Sequence, residues 1–145
     1  MTIDKDTGSI TLQEINAAIS LTLSRSQFLQ ATAFSTAKVA VCNEPWCSYI
    51  LQRIPQPETE ISILFQFHEE RLIQLHLSHA AARFGSSWND WSEKLELERK
   101  AYHERWLSQE LHVHLGYYPW GSIASEFDRG GGSSSIIISY DHPNA

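Results

Sequence analysis

Two consecutive segments that alternate between apolar and polar residues constrain the fold of this 145-residue chain more than any other feature. In residues 61–67 isoleucine and phenylalanine occupy every second position, and after Glu69-Glu70 the chain returns with a second alternating segment, residues 73–77. A period of two places successive side chains on opposite faces of a strand. The pattern predicts a β-hairpin whose apolar face consists of Ile61, Ile63, Phe65, Phe67, Ile73, Leu75 and Leu77.

A helix long enough to cover that apolar face is predicted downstream. The Ser87-x-x-Asp90 motif is typical of a helix start, and the helix extends to about His112. At about 100° per residue, the large apolar side chains fall on one stripe, which we expect to form core. The stripe consists of Trp88, Trp91, Leu95, Tyr102 and Trp106.

Weaker patterns extend this arrangement in both directions. A capping box, Ser24-x-x-Gln27, predicts a short helix near residues 24–34, and a strand begins near Cys47. A last hairpin is predicted from residues 123–127 and 136–140, with a glycine-rich turn between them. Residues 8–13 fit either a strand or the start of a helix, so residues 1–23 stay ambiguous.

These elements predict one α+β domain over residues 1–145. We expect an antiparallel sheet of about five or six strands, packed against one long helix in the C-terminal half, with a short N-terminal helix. The content of 42% hydrophobic and 19% charged residues is that of a globular chain.

Charge and hydropathy restrict the partners. Seventeen acidic residues against eleven lysines and arginines give a net charge of −6, and no basic cluster indicates nucleic-acid binding. No apolar segment approaches the roughly 20 residues of a membrane span, and the N-terminus has no signal-peptide pattern. We therefore expect a cytoplasmic protein with neither nucleic acid nor a membrane as its partner.

Cys42 and Cys47 flank a turn-like segment and could come close enough to form a disulfide. In a reducing compartment we expect two free thiols instead. Their spacing without a second cysteine pair is poor evidence for zinc. We expect neither a metal nor another cofactor.

No catalytic motif stands out among the seven histidines or the serines. His76-x-x-His79 and His112-x-His114 lack a cysteine or carboxylate at ligand spacing, and neither an H-E-x-x-H motif nor a G-x-S-x-G motif occurs. The sequence therefore favours a binding protein over an enzyme.

The alternation itself suggests a partner-binding surface. Polar residues of the hairpin should share the sheet face opposite the apolar one, with two carboxylates in the connecting turn. The candidate partner-binding residues are Gln66, His68, Glu69, Glu70, Gln74 and His76.

Two alternatives remain open. One is an enzyme or small-ligand site under the long helix, formed by Arg99, His103, Tyr117 and Trp120. The other is a homodimer formed through an exposed sheet edge or an aromatic surface.

The C-terminal half, residues 60–141, resembles a group of small bacterial α+β proteins that are associated with the immunity proteins of toxin systems. The motifs that carry the resemblance are Trp88-Asn89-Asp90-Trp91-Ser92, Glu98-Arg99-Lys100, His103-Glu104-Arg105-Trp106-Leu107, Tyr118-Pro119-Trp120-Gly121 and Ser134-Ser135-Ile136-Ile137-Ile138-Ser139-Tyr140-Asp141. The resemblance implies a non-catalytic cytoplasmic protein that binds and blocks a cognate toxin. An acidic chain would be steered towards a basic toxin, so a basic partner is the expectation.

Overall fold

A computed structural model of the chain describes residues 1–85 and 91–142. The first three strands, β1 (Thr2–Ile3), β2 (Ile10–Leu12) and β3 (Ala17–Ile19), form a small antiparallel sheet in that order. Within the ambiguous segment 8–13, residues 10–12 form strand β2, and a short 3-10 turn follows at Gln13–Ile15.

The capping box predicted near residue 24 is present. Helix α1 (Arg25–Gln30) begins after Ser24, whose side chain accepts a hydrogen bond from the Gln27 backbone N–H, while the Gln27 side chain accepts one from the Ser24 N–H. The helix ends sooner than residue 34, and a separate 3-10 turn covers Thr32–Phe34.

The main sheet has seven antiparallel strands, so the predicted α+β class is confirmed. Its strands lie in the order β4-β5-β6-β7-β10-β9-β8. Their bounds are β4 (Lys38–Asn43), β5 (Trp46–Pro55), β6 (Glu60–His68), β7 (Arg71–Ala80), β8 (Gly116–Tyr118), β9 (Gly121–Asp128) and β10 (Ser133–Tyr140).

The predicted central hairpin is β6 and β7, with one change of register. The ladder pairs Gln66 with Gln74 and Phe67 with Leu72, so Ile73 is an extra residue in β7. Leu72 is fully buried, whereas Ile73 is only partly buried. The bulge therefore gives Leu72 the core position that strict alternation assigned to Ile73.

The long helix is shorter than predicted. Helix α2 spans Glu93–Gln109, and its N-cap is Ser92, whose side chain accepts a hydrogen bond from the Leu95 backbone N–H. Ser87, Trp88 and Asp90, which the sequence placed in its first turns, lie outside the described residues.

The predicted apolar stripe of α2 is only partly buried. Trp106 is buried, Leu95 and Tyr102 are half-buried, and Trp91 precedes the helix and is 41% exposed. The inward face instead carries Glu96, His103, Trp106 and Leu107. Helical periodicity alone assigned this face wrongly, because the polar residues on it have hydrogen-bond partners on the sheet.

One core connects both sheets and both helices. It lies against one face of the main sheet, where the inward residues of β5, β6, β7 and β10 are almost all below 6% exposure. The small sheet, α1 and α2 supply the residues that cover this face, which include Ile10, Phe28 and Trp106. Among the described residues, no helix is both long and apolar enough to span a membrane.

Candidate functional site

The other face of the main sheet, which we call the open face, contains the polar hairpin residues predicted from the sequence. Cross-strand pairing places two rows of residues across it. The first row is Val41, Ser48, Gln66, Gln74, Ser139, Ser122 and Tyr117. The second row is Lys38, Ile50, Leu64, His76, Ile137 and Ala124.

The polar side chains at the centre of the open face bond to one another. The Gln74 side-chain amide donates to the Ser139 hydroxyl at 3.1 Å, and Nε2 of His76 lies 3.0 Å from the side-chain oxygen Oε1 of Gln74. Burial among these neighbours lowers the pKa of His76, and Glu126 opposes that shift. His76 is therefore a neutral hydrogen-bonding group at pH 7, held in place by its neighbours.

One end of the open face carries an exposed aromatic pair. Trp46 at the start of β5 is 44% exposed, and its ring lies 4.5 Å from the His68 imidazole in an edge-on arrangement. The adjacent turn residue Glu69 has a positive φ of 53° and donates its backbone N–H to the Pro45 carbonyl at 2.7 Å. The sequence placed Trp46 between the cysteines but did not join it to this face.

Glu70, the other carboxylate predicted to bind a partner, is already used within the fold. Its Oε1 accepts hydrogen bonds from the backbone N–H of Ser26 at 3.1 Å and from the Ser26 hydroxyl. Its carbonyl also accepts from the Arg25 backbone N–H. A carboxylate at the first turn of a helix satisfies unpaired N–H groups, so Glu70 fixes α1 against the β6–β7 turn.

The alternative site predicted under the long helix is not assembled. Arg99 and His103 both belong to α2 and lie near His79, whose ring centroid is 5.1 Å from that of His103. Tyr117 is 95% exposed on the edge strand β8. Trp120 is 5% exposed and stacks on Tyr118, while its indole N–H donates to the Lys5 carbonyl at 2.8 Å.

Arg99 does border a cleft of about 1070 Å³ between the ends of β5 and β6, the 3-10 turn at Ala82–Phe84 and the β9–β10 turn. Its guanidinium lies 3.5 Å from the Glu96 carboxylate and over the ring of Phe84. His103, Tyr117 and Trp120 are not among the described residues that line this cleft. Arg99 is therefore paired with a carboxylate inside the fold.

His79 and His103 form a buried polar pair, although the sequence analysis placed them in separate groups. The His79 backbone N–H donates to Nε2 of His103 at 3.0 Å, and both rings are fully buried. Burial is the main cause that lowers the pKa of each imidazole to about 3; Arg99 and Arg83 lower that of His79 further, and His79 and Arg99 do so for His103. Both imidazoles are therefore neutral at pH 7 and join α2 to β7.

Cys42 and Cys47, expected as free thiols, are joined by a disulfide. They face each other across the β4–β5 hairpin, with Cα atoms 4.1 Å apart, so the hairpin register brings them together. Within the described part of the chain, the group of residues with metal-ligand chemistry is Cys42, Glu44 and Cys47. Its two sulfurs are bonded to each other, so neither is a thiolate ligand.

The open face also contains aliphatic residues that the sequence reading missed. Ile50, Leu64 and Ile137 occupy positions that alternation assigns to the polar side, and all three remain partly exposed. The sequence did indicate them, because all three stand at outward positions of the alternating pattern, where apolar residues are the exception in a sheet with one solvated face. Tyr117 belongs to this face as well, through its pairing with Ser122.

Comparison with known proteins gives a match in structure. No protein-family model matches the sequence, and no curated protein sequence does. A chain of a solved structure described as Rhs1-CT in complex with cognate immunity protein RhsI1 matches with a TM-score of 0.63 and 14% identity. The match covers 97% of this chain and 86% of that chain. At this identity the match shows that the chain shares its fold with one chain of that complex.

Proposed function

We propose that this chain is a non-catalytic immunity protein that neutralises a cognate toxin by binding to it directly. The observation that carries the proposal is the open face, where amide, hydroxyl and imidazole groups lie in rows across six of the seven strands. Such an arrangement suits contact with a broad surface, because a small-molecule site gathers its polar groups around a cavity.

The structural neighbour supports a protein partner. A chain with this fold belongs to a complex of two proteins, one of which is described as the cognate immunity protein of the other. By this proposal the open face binds a toxin domain in the cytoplasm and blocks its activity by occlusion.

Expression in a bacterial host tests the proposal. The product of the reading frame next to the gene is expressed alone, with this chain, and with a copy of this chain truncated before β9. We expect growth arrest from the neighbouring product alone, growth with the intact chain, and arrest again with the truncated chain.

Expression of this chain by itself is the second arm of the experiment. An immunity protein leaves growth unchanged, whereas growth arrest caused by this chain would assign it to the toxic side of such a pair. Failure of the intact chain to protect against, or to co-purify with, the neighbouring product would refute the proposal.

A further inference from the structure

The open face lacks charge at its centre, although the chain has a net charge of −6. In the two rows defined above, the charged residue is Lys38, which lies on the edge strand β4. Charged residues of this face lie outside these two rows, as Glu126 does in the next row and Arg71 does beside His68, and α2 exposes Glu93 and Glu98 on the other side of the fold. The net charge therefore does not describe the surface that the sheet presents.

In an ordinary antiparallel sheet with one face in water, the outward positions of the strands carry mostly charged and polar residues. Here the second row instead places Ile50, Leu64 and Ile137 on three strands, on both sides of the His76 imidazole. Depletion of charge at the centre, with apolar and aromatic groups in its place, is the compositional signature of a protein–protein interface.

Exposed aromatic residues stand at two ends of the same face. Tyr117 is 95% exposed at the β8 edge, and Trp46 is 44% exposed beside His68 near the β4 edge. Tyrosine and tryptophan supply a large share of binding free energy at interfaces. Seven strands spaced about 4.8 Å apart make the face roughly 30 Å wide, which suits an interface of standard size.

Resting on the proposed function, we propose that the open face is the toxin-binding surface and that the toxin presents to it an uncharged patch of apolar and hydrogen-bonding groups. Leu64 and Ile137 pack against the apolar groups of that patch, and the Gln66 and Gln74 amides bond to its polar groups. The binding free energy then comes from desolvation and hydrogen bonds, so affinity depends little on salt. If the acidic residues instead attracted a basic toxin surface, the Kd would rise steeply with the salt concentration.

Matched variants separate this face from the helix side. Leu64→Lys places a charge at the centre of the open face, and Leu97→Lys makes the same change on α2, where Leu97 is 45% exposed. Tyr117→Ala is the second open-face variant, because a side chain that is 95% exposed contributes little to folding. Urea unfolding checks that all three variants remain folded.

The measurement is the Kd for the purified neighbouring gene product, at about 50 mM and about 500 mM salt. We expect Leu64→Lys to weaken binding by about 30-fold or more, Tyr117→Ala by about 10-fold, and Leu97→Lys by less than about threefold. For the unmodified chain, Kd should change by less than about fivefold between the two salt concentrations.

Three results would overturn the inference. The first is loss of binding in Leu97→Lys with normal binding in Leu64→Lys and Tyr117→Ala. That result would refute the binding surface but not the proposed function. The second is a Kd that rises steeply with salt. The third is a dimer of the unmodified chain, seen by sedimentation and dissociated by Leu64→Lys, which would make this face a contact between two copies. If the unmodified chain neither binds nor protects, the inference and the proposed function fail together.

Discussion

The backbone N–H of His79 on β7 donates a hydrogen bond to Nε2 of His103 on α2 at 3.0 Å, and both imidazoles are fully buried. His79 also packs edge-on against Trp106, with ring centroids 4.3 Å apart. The contact between α2 and β7 therefore depends on a His103 imidazole that stays uncharged.

Stability should consequently fall in mild acid. Burial, with Arg99 nearby, lowers the pKa of His79 and of His103 to about 3, whereas an unfolded histidine has its ordinary value of 6.5. The unfolded state therefore binds more protons between these values. Stability is complete above about pH 6.5 and is lost progressively as the pH falls towards 3, by about 3 kcal/mol per histidine at pH 4.5.

Urea unfolding at a series of pH values measures this effect. His103→Gln keeps a hydrogen-bond acceptor but does not titrate, so it should flatten the pH dependence of the free energy of unfolding. His112→Gln, at an exposed position, serves as the control and should leave the slope unchanged. Equal slopes in all three proteins would show that His103 is not a neutral buried group.

Glu96 should matter far more to stability than its exposed neighbour Glu98. Its carboxylate accepts the Ser134 backbone N–H at 3.1 Å, and its carbonyl accepts the Ser134 hydroxyl at 2.6 Å. Glu96→Ala leaves that N–H and the Arg99 charge without their partner, so we expect a loss of about 3 kcal/mol. Glu98→Ala should cost less than about 0.5 kcal/mol.

Urea denaturation of both variants tests this difference, and Glu96→Gln refines it. The amide oxygen of Gln can still accept from Ser134 but carries no charge for Arg99, so its cost should fall between those of the alanine variants. Similar stabilities for Glu96→Ala and Glu98→Ala would contradict the contact between α2 and β10.

Gly8 should not tolerate a side chain. A Cβ there would lie 2.5 Å from the indole of Trp120, and the backbone has a φ of +75°. Gly8→Ala therefore forces the small sheet away from the main sheet, with an expected loss of about 3 kcal/mol. Gly130→Ala is the control, because its nearest neighbour atom lies at 3.4 Å, and its melting temperature should remain within about 2 °C of the unmodified chain. A stable Gly8→Ala protein would show that Trp120 does not pack where the structure places it.

The two turn carboxylates should separate into a structural and a surface residue. Glu70→Ala removes the acceptor for the Ser26 N–H at the start of α1, so we expect a loss of about 1 kcal/mol. Glu69→Asn removes the same charge but suits the positive φ of 53° at that position, so its stability should be unchanged. Thermal melts of both proteins check this, and a larger loss in Glu69→Asn would reverse the assignment.

Local sequence patterns were enough to predict the elements whose apolar residues recur at a regular spacing or whose ends carry a capping motif. The alternation of β6 and β7, the Ser24 capping box and the last hairpin depend on neighbours in sequence, so they could be predicted. The short strands β4 and β8 carry no comparable alternation and form because the main sheet pairs with them. The polar face of the hairpin was predicted for the same local reason, and the four side chains Gln66, His68, Gln74 and His76 lie on it.

Tertiary structure alone decided which polar residues are buried and what completes the open face. Glu96 and His103 face inward because their partners, Ser134 and His79, come from distant strands, which no helical periodicity can reveal. Tyr117 and Ile137 join Gln74 and His76 on one face because cross-strand register aligns β7 with β10, β9 and β8, which follow it in the chain only after α2. The groups that bond to Glu96 and His103 come from strands of the main sheet, so the burial of these two side chains is a property of the fold.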